Sequence, residues 1–72
     1  MKVTDIQALD TQASTIVRIV NRMGEIAIAD LLTRVANIYR TTPGHVKYAL
    51  SYGNVKNMYI IDFDAATVKP ND

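Results

Sequence analysis

ADLLTRVANIYRTTPGHVKYAL, residues Ala29 to Leu50, decides how this chain is read, because it holds two helical patterns separated by a short break. In the first, Leu31, Leu32, Val35, Ala36 and Tyr39 fall on one stripe of a helix from about Leu31 to Arg40, with Asp30 placed to cap it. Arg34 and Asn37 then face water or a ligand. In the second, the Thr42 hydroxyl can accept from free backbone N–H groups, and Pro43 supplies a preset φ at the first helical position. A helix over residues 43–52 follows. Its apolar residues Val46, Ala49 and Leu50 lie within about 50° of one direction at roughly 100° per residue. The opposite face carries Gly44, Lys47, Tyr48 and Ser51. Ala36 precedes Val46 by ten residues, a spacing that suits two helices packed as a helix-turn-helix.

Outward from this pair, Ile6, Leu9, Ala13, Ile16, Val17, Val20 and Met23 recur at helical spacing and predict a first helix. Asp10 offers a second start, which would leave Ile6 and Leu9 as a separate arm. Gly24 ends either version, with Arg22 complementing the helix dipole. Glu25 to Ile28 is too short and too alternating for a helix and reads as a strand with Ile26 and Ile28 on one side. Lys2-Val3 could add an edge strand, and Thr4 with Gln7 forms a capping box. On the C-terminal side, Tyr52-Gly53-Asn54 reads as a helix stop with Gly53 in the left-handed position. Met58 to Phe63 alternates as a strand, Asp64 to Ala66 turns, Thr67 to Lys69 returns, and Pro70 ends the pairing. Residues 1–5 and 70–72 are expected to be flexible.

From Ala36 to Leu50 the pattern AxxxxxTPxxVxxAL resembles the core of helix-turn-helix DNA-binding domains, particularly small winged-helix regulators of bacteria, phages and plasmids. The resemblance covers roughly Ile16 to Phe63. It implies an α+β fold, a winged helix-turn-helix of three helices, a short strand and a C-terminal β-hairpin. The short strand would pair with that hairpin, the wing. The chain departs from such families at the turn, where Gly is common but Arg40-Thr41 stands here. Either the turn avoids a left-handed residue or Arg40 is forced into one. It departs again at the wing tip, where Asp62 and Asp64 replace the usual basic residues. That wing is either structural or faces a partner protein, and Lys56 and Lys69 at its base are better placed for phosphate.

Seventy-two residues make one domain with a small core, and without Cys neither a disulfide nor a Cys-based zinc site can staple it. A homodimer would compensate. No apolar run approaches the ~20 residues of a membrane span. The N-terminus lacks the layout of a signal peptide, so a cytoplasmic protein without membrane contact is expected. The net charge of +1 is unevenly divided: residues 31–57 hold Arg34, Arg40, Lys47 and Lys56 with no acid, while both flanks are net acidic. A basic centre of this kind suits a phosphate-facing surface.

Catalytic chemistry finds no footing. His45 has no Cys or second His to share a metal, and its place near a helix start fits surface or turn packing. Asp62 and Asp64 lack a third ligand, and Gly24, Gly44 and Gly53 are too scattered for a phosphate loop. No cofactor, metal or enzyme activity is expected. The candidate DNA-binding residues are Arg34, Arg40, Thr42, Gly44, His45, Lys47, Tyr48, Ser51 and Lys56, with double-stranded DNA as partner. The alternative is a protein-interaction module that docks through Tyr48, Tyr52 and the acidic hairpin without nucleic acid.

Overall fold

A computed structural model describes residues 6–71 as three helices and a three-stranded antiparallel sheet. The elements run α1 (Ile6–Met23), β1 (Ile26–Ala27), α2 (Ile28–Tyr39), α3 (Pro43–Val55), β2 (Tyr59–Asp62) and β3 (Thr67–Pro70). This order is compatible with a winged-helix layout. The Lys2-Val3 strand and the capping box that needs Thr4 lie outside the described residues.

The first helix starts at Ile6, so Asp10 is internal to it and no separate arm forms. Ala13, Ile16 and Val20 are fully buried at the centre of the stripe, while Ile6 and Met23 run past the core and stay exposed. Gly24 ends the helix with φ +85°, its N–H donating to the Val20 carbonyl at 2.8 Å. The left-handed turn is what a glycine permits cheaply.

The second helix begins earlier than expected. Asp30 lies in its first turn rather than at the cap, and the N-cap is Ala27, which has no side-chain cap bond. Instead the Ile28 N–H donates to the Ala66 carbonyl at 2.8 Å, so the hairpin turn does what an Asp or Ser cap would otherwise do. The expected strand is correspondingly cut to Ile26–Ala27, and Ile28 enters the helix. Leu31, Leu32, Val35 and Ala36 are buried as the spacing predicts. Tyr39 pins the helix end to α1: its hydroxyl lies 2.5 Å from Thr15 Oγ1 and donates to the Thr11 carbonyl at 3.4 Å.

The third helix does not stop at Tyr52. It continues to Val55, with Gly53 buried inside it, and the left-handed position falls on Asn57 at φ 58°. The Asn57 N–H donates to Asn54 O at 3.1 Å and the Met58 N–H to Gly53 O at 2.9 Å, the paired bonds of a Schellman ending. Gly53 serves a close approach instead. A Cβ built there would lie 2.2 Å from the Tyr59 hydroxyl oxygen. That buried hydroxyl donates to the carbonyls of Ala49 at 3.2 Å and Leu50 at 2.7 Å, which locks β2 onto α3.

The sheet order is β1-β3-β2, with Val68 opposite both Ile26 and Ile61. Pro70 does not end the pairing but lies opposite Tyr59 in β3. The central strand tolerates it because β1 pairs only with Thr67 and Val68, so no neighbour on that side asks for its missing N–H. Asn71 is also tied down, its side-chain amide donating to the Asn57 carbonyl. Asp72 is outside the described residues.

The core joins all layers: Ile16 and Val20 from α1, Leu31 and Val35 from α2, Val46 and Ala49 from α3, and Ile26, Tyr59 and Val68 from the sheet. Gly53→Ala, which helix propensity alone would favour, is expected to destabilise the fold by about 2 kcal/mol through overpacking. Urea denaturation should find that cost largely removed in a Tyr59→Leu background, where the ring no longer fills the space.

Burial pushes the Tyr59 phenol well above its ordinary value of 10.0. The neutral phenol is thus favoured by folding. Its stabilisation is complete below pH 10 and is lost as pH rises above it, because the unfolded chain releases the proton first. Unfolding free energies from denaturant titrations between pH 9 and 12 are expected to fall more steeply for the parent than for Tyr59→Phe, by up to about 1.4 kcal/mol per pH unit.

Candidate nucleic-acid interface

The surface of interest starts at the turn between α2 and α3. Arg40 adopts φ 55° and ψ 48°, so the turn takes the left-handed option. The N–H groups of Arg40 and Thr41 both donate to the Ala36 carbonyl, the latter at 2.9 Å. Left-handed backbone is not by itself a mark of function here, since Ala66 adopts φ 57° with no functional side chain to present.

Thr42 caps α3 as its sequence predicts: its Oγ1 accepts from the His45 N–H at 3.2 Å, with Pro43 in the first turn. Beyond the cap, Gly44, Lys47, Tyr48 and Ser51 are all exposed on one side of the helix, while Val46, Ala49 and Leu50 are buried on the other. A Cβ at Gly44 would meet nothing within 4 Å, so this end of the helix is open to close approach. His45 is half-buried, its ring meeting Tyr48 edge-on at 6.2 Å and 71°. That contact steadies the exposed phenol and gives His45 a packing role.

The other expected contacts lie at the margins. Lys56 is the C-cap of α3, with its ammonium 5.4 Å from the centroid of the Tyr52 ring. The Tyr52 hydroxyl in turn makes a long 3.4 Å bond to Asp10 Oδ1 on α1. The acid-free stretch of sequence is therefore met in space by one carboxylate, at the C-terminal end of α3. Arg34 is not brought together with the α3 face. It lines a hollow with Ile19, Arg22, Met23, Asn37 and Ile38, all from α1 and α2.

At the hairpin, Asp62 and Asp64 do not share a strand face. Asp64 lies in the turn, and Asp62 Oδ1 accepts from the N–H groups of Asp64 and Ala65, each at 3.1 Å. This is an Asx turn in which Asp62 is committed to shaping the tip. The alternating pattern does not disclose that role, and it extends the strand to Phe63, which instead stands in the turn, 76 % exposed. An Asp opening a D-x-D-A-A turn is the signal that was available.

No helix among the described residues is long and apolar enough to cross a membrane, and none of their His, Asp and Glu residues converge in groups of three. No family model, curated protein or solved structure matches this chain.

Arg40→Gly is expected to stabilise the fold by up to about 1 kcal/mol, because glycine adopts the left-handed turn without the Cβ penalty. Chemical denaturation that finds the variant less stable than the parent would show that the guanidinium makes a compensating contact.

Proposed function

We propose that the protein is a small winged helix-turn-helix DNA-binding protein, a transcriptional regulator or accessory factor that acts as a homodimer. Helix α3 enters the major groove, with Lys47 and Tyr48 toward base edges, Ser51 toward a base or phosphate, and Gly44 allowing the backbone to approach. Arg40, Thr42 and His45 sit at the entry of the helix, where phosphate contacts set register, and Lys56 flanks the far end.

The observation that carries this reading is the exposed face of α3: a lysine, a tyrosine, a serine and a glycine with no acid among them, on a helix that is capped and buried along its opposite side. The element order and the pairing of β1 with the hairpin support the winged form. A protein-interaction module remains the second reading, favoured by one feature, the exposed Phe63 between two aspartates.

Lys47→Ala and Tyr48→Ala are expected to weaken binding to a selected duplex by about 1 to 3 kcal/mol each. Arg40→Ala, by contrast, should weaken specific and non-specific binding alike and flatten the salt dependence. Fluorescence anisotropy on folded variants tests this. Parent-like affinity in both α3 variants removes the groove assignment, and a parent that binds no duplex at low salt favours the interaction module.

A further inference from the structure

Two surface features outside the α3 face are complementary in charge and apolar character. The first is the hairpin tip. Phe63 projects between Asp62 and Asp64 and is 76 % exposed. The tip is nonetheless held firmly: Asp62 Oδ1 takes two backbone N–H groups, and the Ala66 carbonyl accepts from Ile28 at 2.8 Å. An aromatic ring presented to water on a braced turn loses little conformational freedom on binding.

The second is the hollow between the C-terminal halves of α1 and α2, of about 450 Å³. Its floor is Ile19, Met23 and Ile38, with Met23 49 % and Ile38 58 % exposed. Arg22 and Arg34 stand at its edge, and among the described residues neither pairs with a carboxylate. An apolar centre rimmed by two unpaired guanidiniums fits an aromatic anchor flanked by acids.

We propose that the Phe63 tip of one copy of this chain seats in the α1–α2 hollow of a second copy, with Asp64 facing Arg34. A second copy is the occupant because the complementary group is carried by the chain itself, and because Phe63 is exposed and so does not fill its own hollow. The contact deepens the homodimer reading by giving it a seam. It needs no nucleic acid, and it assigns Arg34 to the partner rather than to phosphate.

Sedimentation equilibrium of the full chain without DNA, at low salt and over concentrations reaching the millimolar range, tests this. The apparent mass of the parent is expected to rise from 8.0 kDa toward twice that value, whereas Phe63→Ser stays monomeric. Arg34→Glu and Asp64→Arg should each weaken association by about tenfold, and the double variant Arg34→Glu/Asp64→Arg should restore it. All of these positions are exposed, and circular dichroism checks that each variant is folded; were Phe63→Ser to unfold, the charge-swap set carries the test. A parent that stays at 8.0 kDa throughout overturns the proposal. So does a folded Phe63→Ser that dimerises like the parent, or a charge swap that restores nothing. None of these results bears on duplex binding, which is measured separately.

Discussion

The bond between the Tyr59 hydroxyl and the carbonyls of α3 is the constraint on which the C-terminal half depends. A phenol can donate to helix carbonyls from outside only if it comes closer to the backbone than side chains normally allow, and Gly53 removes the one Cβ in the way. Once Tyr59 is held, the rest follows by pairing. Strand β2 fixes β3, β3 fixes β1 through Ile26 and Val68, and the turn of the hairpin presents the Ala66 carbonyl to the first N–H of α2. The start of α2 is thus set by a residue more than thirty positions later in the chain. This is why its cap carries no Asp or Ser.

That route also explains what could be read from sequence and what could not. Apolar spacing is a local signal, and it placed the buried stripes of all three helices, including Val46, Ala49 and Leu50 on α3. The Thr42-Pro43 start was legible for the same reason, since both groups act within one turn. Gly53 was misread because a glycine that ends a helix and one that admits a ring look alike in a string. Only the Tyr six residues later, at the head of a β-branched run, hinted at the difference. Ile28 reads as a strand residue because its partner, Ala66, is distant. The exposed α3 face was legible as a pattern, but the placement of Arg34 beside α1 was not, because it depends on the packing of two helices.

The four tyrosines divide between structure and surface. Tyr39 ties α2 to α1, Tyr59 ties the sheet to α3, and Tyr52 reaches from α3 to Asp10 on α1 while stacking under Lys56. In each, the ring packs and the hydroxyl finds a partner on another element, which is the usual settlement for a phenol against a core. Tyr48 departs from this. It is 54 % exposed, and its described contact is the edge of His45, a neighbour on its own helix. A phenol that ties nothing together adds little to the fold, so under the proposed reading its place on the acid-free side of α3 serves recognition rather than stability.

Charge separates the two surfaces more clearly in space than along the chain. Asp62 closes β2 and Asp64 lies in the turn after it, whereas the acid-free face lies on α3, and the Ala66 carbonyl of that turn meets the first N–H of α2. The hollow that matches the tip is built from α1 and α2 and shares no residue with the face of Gly44, Lys47, Tyr48 and Ser51. Under the proposed DNA-binding reading, an acidic hairpin laid against phosphate would oppose α3. A hairpin turned toward a second copy does not, because in the proposed contact Asp64 faces Arg34 while α3 takes no part. The aspartates that argue against a hairpin gripping DNA therefore fit the proposed arrangement, in which pairing and duplex recognition would use different elements.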